Sequence, residues 1–292
     1  MNSNKNTLDN CYIPQLPGEN YYVPGNNHLS ASCKNSDDEV IKITKYGYDY
    51  ELWSEMAEGS TVAQGQSVLV IPPADVQAGK GGIFSGMWQD TRNVLIRSGK
   101  KYTDNKGNTK ETGTPGKTHR EIGEISIEFD TTWSSNDNLK ILSVYGWAFY
   151  KPESIPKSFS NQIEYYIISE HGKHNSAKNG MNSIYKGEKI IDGILFEFYE
   201  CDRINQPMLT GNGNFKQYFS VPKNAADFRT SGTVSVSEHF KAWEEAGMIM
   251  DGPFYEVSWM IESHTGPRQG AKGNVTVNKN ILTIIPPVVS NI

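Results

Sequence analysis

Two acidic residues in strand-like runs have the residue type and surroundings for acid–base chemistry. Glu164 lies in the run 163–168, IEYYII, and Glu262 ends the run 255–262, YEVSWMIE. A carboxylate between aromatic and β-branched neighbours loses solvation when its strand is buried, so folding must supply hydrogen bonds or shift its pKa. Two such groups that face each other can divide the roles of acid and base, as paired carboxylates do in glycoside hydrolysis.

The segments that must position these residues are predicted to be strands. From residue 46 onward, short runs rich in Tyr, Ile, Val, Thr and Phe alternate with turn sequences such as DNKGN at 104–108. This pattern is typical of a multi-stranded antiparallel fold. Side chains alternate along a strand, so Glu164 and Tyr166 share a face. Tyr255 is an odd number of residues from Glu262, so simple alternation places it on the opposite face unless a bulge intervenes.

One segment has a helical pattern instead. Ser235 and Glu238 form an S-x-x-E capping box, Phe240 and Trp243 follow on one face, and Gly247 marks the end. These signals predict a single helix of about three turns.

Length and charge limit the class of protein. The chain has 292 residues, enough for one large β domain, and a formal net charge of -5. No Lys/Arg cluster follows a line of aromatic residues, so we expect no nucleic-acid partner. No apolar run approaches the roughly 20 residues that span a bilayer, and the N-terminal ten residues lack the hydrophobic core of a signal peptide in the chain as given. We expect no membrane partner.

Residues 1–45 differ in composition from the rest of the chain. They are rich in Asn, Ser, Gly and Pro with little periodicity, which predicts an irregular N-terminal extension before a domain at 46–292. A disulfide between Cys11 and Cys33 is one of two open possibilities for this extension. Cys201 is predicted to be a buried, unreactive thiol.

Seven short segments, in order, resemble glycoside hydrolase family 11, the small jelly-roll endo-β-1,4-xylanases. Besides the run around Glu164, they are 47–53 GYDYELW, 93–97 NVLIR, 144–147 VYGW, 203–207 RINQP, 215–221 FKQYFSV and 229–233 RTSGT. The resemblance extends over roughly residues 46 to 285. It implies an all-β fold, a two-sheet curved antiparallel jelly-roll sandwich with a single α-helix.

The resemblance also implies roles for particular residues. Glu164 matches the nucleophile and Glu262 the general acid/base of a retaining hydrolysis, which needs carboxyl groups about 5 to 5.5 Å apart. Asn93 matches the position beside the acid/base that modulates its pKa, and Asn there implies a near-neutral optimum. Substrate binding is assigned to seven residues: Trp53, Tyr145, Trp147, Tyr166, Arg203, Pro207 and Gln217. Taken alone, an aromatic residue of this kind is more often part of the core.

The function implied is hydrolysis of internal xylosidic bonds of xylan by double displacement. The predicted partner is xylan or a xylo-oligosaccharide, and we expect a secreted or extracellular monomer without a cofactor. We also expect no metal site, because His171 and His174 lack further ligands at a suitable spacing. The alternative is a carbohydrate-binding jelly-roll protein with weakened or altered glycanase activity, since the family's Glu-Gly-Tyr reads Glu262-Ser263-His264 here.

An insertion at 149–162 could add a sugar contact through Tyr150 and Phe159, or could cap the sheet edge.

Overall fold

The computed structural model describes residues 29–33, 39–56, 66–137, 139–265 and 270–287. These ranges contain fourteen strands. The first seven are β1 Leu29–Cys33, β2 Glu39–Lys45, β3 Tyr48–Met56, β4 Gln66–Ile71, β5 Phe84–Lys101, β6 Glu124–Ser135 and β7 Leu139–Phe149. The second seven are β8 Gln162–His171, β9 Ile184–Ile191, β10 Ile194–Met208, β11 Gly211–Pro222, β12 Ser231–Val234, β13 Glu256–His264 and β14 Ala271–Ile285.

The long strand β5 connects two layers of sheet. Its first half pairs with β4 and β14, and its second half pairs with β3 and β13. The outer layer therefore runs β12-β6-β14-β5-β4-β1, and the second layer runs β2-β3-β5-β13-β7-β8-β11-β10-β9. Register shifts on β3 and β14, opposite the middle of β5, allow the strand to bend between the layers.

This architecture confirms the predicted jelly-roll fold class. One strand pair departs from the antiparallel pattern, because β8 and β11 run parallel. The parallel pairing places Gln217 of β11 in register with Glu164 of β8.

The main core lies between the two layers. Alternate residues of the facing strands fill it, and the ring of Trp259 stacks on Phe129 with a centroid distance of 4.0 Å. The indole nitrogen of Trp259 donates to Thr131 Oγ1 at 2.9 Å, so this buried ring has a partner for its polar atom. The odd-numbered residues of β13 thus face the core, and its even-numbered residues face the other way.

The described part of the chain also contains three α-helices: α1 Ala74–Gln77, α2 His119–Ile122 and α3 Val236–Glu245. The predicted helix is α3, which buries Phe240 and Trp243 in the core, and Gly247 follows it at φ +76°. Its predicted capping box is wrong. The Ser235 hydroxyl donates to Asp192 Oδ1 at 2.7 Å instead of accepting from the helix, because a carboxylate is the stronger acceptor. No helix in the described ranges is long and apolar enough to cross a bilayer.

The N-terminal segment is less irregular than its composition predicts. β1 pairs with β4 and β2 pairs with β3, so both strands extend the sheets. The division into an extension and a domain stays a prediction.

Cys11 lies outside the described residues, so the disulfide between Cys11 and Cys33 also stays a prediction. Cys201 is buried and free, as predicted, and its thiol donates to the carbonyl oxygen of Ala177.

Two aromatic residues of the insertion at 149–162 pack against other parts of the protein. Tyr150 is buried in the core, and its hydroxyl hydrogen-bonds the hydroxyl of Tyr218 at 2.7 Å. The ring of Phe159 lies under the ammonium group of Lys216, 4.6 Å from its centroid. Tyr150 is therefore a core residue and cannot contact a sugar, whereas the capping of a sheet edge by this insertion stays a prediction.

Candidate active site

A second cluster of buried side chains lies on the side of the second layer that faces away from the core. We call this side the cleft face. The cluster includes Tyr145, Trp147, Tyr166, Phe215 and Met260. Strand alternation places Glu164 and Glu262 on the same face as these residues, on β8 and β13.

Glu164 is surrounded by neutral hydrogen-bond donors. Tyr145 and Tyr166 donate their hydroxyls to Oε1 at 2.8 and 3.3 Å, and Gln217 Nε2 donates to Oε2 at 2.5 Å. The indole nitrogen of Trp147 donates to the Tyr145 hydroxyl at 2.7 Å and so orients that group. Glu164 is only 8% exposed, and it forms no ion pair in the described part of the chain. Three donors compensate for the lost solvation of its ionised form.

The register of three strands produces this arrangement. Tyr145 on β7 is paired with Tyr166 on β8, and Trp147 is paired with Glu164. Gln217 on β11 approaches from the other side of β8. All the donors therefore come from neighbouring strands of one sheet, which restricts the position of the carboxylate.

Glu262 has a different environment. It is half-buried, and Asn93 Nδ2 donates a hydrogen bond to its Oε1 at 3.4 Å. Burial raises the pKa of Glu262 to about 7, and the negative charge of Glu164 adds to this effect. Asn93, Arg203 and Tyr166 oppose the rise without cancelling it. The carboxyl group of Glu262 therefore holds a proton up to near-neutral pH.

Tyr166 links the two carboxylates. Its hydroxyl donates to Glu164, and it also lies close enough to Glu262 to favour the ionised form of that group. Burial raises the pKa of Tyr166 well above its usual range, and both carboxylate charges add to the rise. The phenol thus remains a proton-bearing donor between the two acids.

The predicted substrate-binding residues fall into two sets. Tyr145, Trp147, Tyr166 and Gln217 meet at Glu164, as described above. The others are Trp53, which is half-buried against the cleft-face cluster, and Arg203 and Pro207, which are exposed on β10. Arg203 is near enough to Glu262 to lower its pKa, whereas no described contact joins Trp53 or Pro207 to either glutamate. The assignment of substrate contacts stays a prediction.

The turn between β10 and β11 is tied to the rest of the protein by side-chain amides. Gln162, which is buried, donates to Thr210 Oγ1 at 2.8 Å and accepts from the backbone N–H of Leu209 at 3.0 Å. Asn105 donates to the carbonyl oxygen of Leu209 at 3.1 Å. The hydroxyl of Tyr255 donates in turn to Asn105 at 3.0 Å. These bonds hold the hairpin over one end of the cleft face.

Simple alternation does not hold for Tyr255. Its ring packs in the cleft-face cluster, not in the core. The reason is that β13 begins at Glu256, so Tyr255 precedes the strand and the alternation rule does not apply to it.

Sequence reasoning also missed a group of charged residues on the cleft face. Arg97 donates to Glu256 Oε1 and to Glu51 Oε1, each at 2.8 Å, and Lys101 forms an ion pair with Glu51. The guanidinium carbon of Arg97 lies 4.9 Å from the ring centroid of Tyr145. A signal was present, because Glu256 lies an even number of residues before Glu262 and alternation places both on one face.

Comparison with known proteins identifies the family of this chain. The profile of Glycosyl hydrolases family 11 matches residues 72–276. The chain belongs to this family. It is 34% identical over 233 residues to endo-1,4-beta-xylanase A of Bacillus pumilus, covering 80% of this chain and 81% of that protein. It is also 34% identical over 241 residues to an endo-1,4-beta-xylanase A of Thermoclostridium stercorarium, where it covers 82% of this chain but only 29% of the longer protein.

A solved structure shows the same fold. A mutant of ENZbleach xylanase superposes with a TM-score of 0.69 at 23% identity, covering 88% of this chain and 87% of that one. At this identity the likeness concerns the fold alone. This chain differs from the expected family motif at Ser263 and His264. The hydroxyl of Ser263 hydrogen-bonds Ser135 and Asp137.

Proposed function

We propose that this family 11 protein is a retaining endo-β-1,4-xylanase, with Glu164 as nucleophile and Glu262 as general acid/base. The observation that carries the proposal is the contrast between the two carboxyl groups. Glu164 receives three hydrogen bonds that suit an ionised carboxylate, whereas the pKa of Glu262 is raised to about 7. Paired carboxyl groups with separate protonation states are what double displacement requires.

In the first step, Glu262 gives its proton to the glycosidic oxygen as the bond from that oxygen to the anomeric carbon breaks. Glu164 forms a bond to the same carbon, which yields a covalent glycosyl ester. Tyr145 and Gln217 hold the attacking carboxylate in place, so little reorganisation is needed during the reaction.

In the second step, the charge of Glu164 has been consumed in the ester. This removes one of the two causes that raise the pKa of Glu262, so its carboxylate becomes stable enough to act as a base. Glu262 takes a proton from water, the water oxygen attacks the anomeric carbon, and Glu164 leaves as a carboxylate. The product keeps the original configuration.

The proposed substrate is xylan or a xylo-oligosaccharide. Two relatives at 34% identity are named endo-1,4-beta-xylanase, which supports this choice. Trp53 is half-buried at the cleft face, and an indole is a flat apolar ring of the kind on which a xylose ring can stack. Because xylan is a polymer, we also propose that the protein acts outside the cell, and as a monomer.

A reducing-sugar assay on xylan, glucan and mannan tests this function, with the wild type and Glu164→Gln side by side. We expect release of reducing ends from xylan by the wild type alone. A protein that binds xylan but releases no sugar would instead support the carbohydrate-binding alternative.

A further inference from the structure

A cavity of about 570 Å³ opens at the end of the cleft face that the β10–β11 hairpin overhangs. Thr210 of the hairpin turn and Tyr255 of the cleft-face cluster both line it. The cavity is therefore next to the surface on which the substrate is proposed to lie. Its volume is within the range of about 300 to 1,000 Å³ that is common for ligand sites.

Four lysines line this cavity: Lys42, Lys101, Lys106 and Lys110. Lys101 is already paired with Glu51, and Lys42 lies 4.0 Å from the same carboxylate. Lys106 and Lys110 are exposed, and within the described ranges neither forms an ion pair. Two cations are thus available to a ligand in a protein whose net charge is -5.

The two acidic residues that line the cavity, Asp49 and Asp104, are already occupied by donors. Asp49 accepts from the hydroxyl of Thr44 and from the backbone N–H of Lys101. Asp104 accepts from the backbone N–H groups of Lys106 and Asn108 through one oxygen. These hydrogen bonds, Asn108 first, lower the pKa of Asp104 and fix its carboxylate toward its own loop. The negative charges of Asp49 and Asp104 offset part of the positive charge of the lysines. The ammonium groups of Lys106 and Lys110 are the ones without an ion pair in the described ranges.

We propose that this cavity binds the carboxylate of a uronic acid branch carried by the xylan main chain. The inference rests on the proposed function, since it needs a xylan chain on the cleft face. The ammonium groups of Lys106 and Lys110 recognise the carboxylate as point charges on flexible stems. Asn105, which connects the hairpin to Tyr255, places the same loop beside the sugar-binding surface.

The test is calorimetric titration of the Glu164→Gln protein, which binds without turning over. The two ligands are a xylo-oligosaccharide that carries one uronic acid branch and its carboxyl-reduced form, which has the same size and no charge. We expect the acidic ligand to bind about threefold to tenfold more tightly at low salt, as two exposed ion pairs allow. The preference should fall as ionic strength rises.

A second protein, with Lys106→Gln and Lys110→Gln added, should lose this preference and keep its affinity for the reduced ligand. The matched control carries Lys80→Gln and Lys272→Gln, which remove two exposed lysines outside the cavity, and should keep the preference. Equal affinity for the two ligands, or a preference that survives the loss of Lys106 and Lys110, would overturn the inference. Failure of the proposed function gives a different result, because the wild type would then not cleave an unbranched xylo-oligosaccharide.

Discussion

Two pairs of glutamates lie on the cleft face of one sheet, and their partners differ. Glu51 and Glu256 are buried and share Arg97, with Lys101 as a second cation on Glu51. The donors to Glu164 in the described ranges are all neutral. Glu262 accepts a long hydrogen bond from the amide of Asn93.

The comparison shows that burial alone does not determine what a carboxyl group does. Burial acts to raise the pKa of Glu51, but Arg97 and Lys101 overcome it and hold that pKa below its usual range. At Glu262 no adjacent cation opposes burial strongly enough, so the pKa rises to about 7. The cations favour the ionised form of Glu51, whereas a carboxyl group without such partners can keep a proton to higher pH.

The largest expected effect is on catalysis. Glu164→Gln should lower kcat on xylan by about 10⁴-fold or more, and Glu262→Gln by about 10²- to 10⁴-fold, because an amide keeps the shape but cannot attack or donate a labile proton. Steady-state kinetics with circular dichroism as a folding check measures this. Glu128→Gln, at an exposed ion pair with Lys279, is the control and should keep full activity. Wild-type activity in either variant would remove that residue from the catalytic pair.

The next effect is on stability and concerns the cation-paired glutamates. Arg97→Met should lower the free energy of unfolding by about 3 to 5 kcal/mol, since it leaves Glu256 buried without its cation. Urea denaturation at pH 7 gives the value. Lys279→Met breaks an exposed pair and should cost less than about 1 kcal/mol. A loss at Arg97 as small as that at Lys279 would contradict the structural role of this cluster.

A smaller effect should appear in the pH dependence of stability. The folded-state pKa of Glu262 lies above its unfolded value, so wild-type stability should fall as pH rises from about 4.5 through about 7. Glu262→Gln should therefore be more stable than the wild type by about 1 to 3 kcal/mol at pH 8, and equal to it below pH 4.5. Glu51 has the opposite dependence, because its lowered pKa gives stability that is lost only in acid. A difference in the free energy of unfolding between the wild type and Glu262→Gln that stays the same at every pH would refute the assigned pKa.

The smallest effect concerns Asn93. Its Nδ2 can donate to ionised Glu262, and its buried Oδ1 has no partner among the described residues and can accept from the protonated acid after rotation of the amide. Asn93→Asp should move the pH optimum downward by about one unit, because two carboxyl groups would then share a proton. A pH–rate profile that does not change would show that Asn93 has no electrostatic contact with the acid.

The sequence was sufficient for the fold class and for much of the site. Strand alternation placed Glu164 and Tyr166 on one face, and the family resemblance selected Tyr145, Gln217 and Asn93, which the structure brings to the two acids. Each of these residues lies in a short strand segment with a clear local pattern.

Contacts between distant segments were harder to predict. Arg97 meets Glu51 and Glu256 across three strands, and no spacing in the chain indicates which acid it pairs with. The hydroxyl of Ser235 has the right spacing for a cap, but a carboxylate from another loop competes for it. In these cases the outcome depends on partners that only the folded chain brings together.

The pKa of Glu262 is the most direct test of the division of roles between the two acids. Carbon-13 NMR titration of its side-chain carboxyl, assigned with Glu262→Gln, should give a value of about 7 in the wild type. In Glu164→Gln the value should fall, since the neighbouring charge is gone, yet stay above 4.5 because burial remains. A wild-type value near 4.5, or one that does not change in Glu164→Gln, would contradict the account.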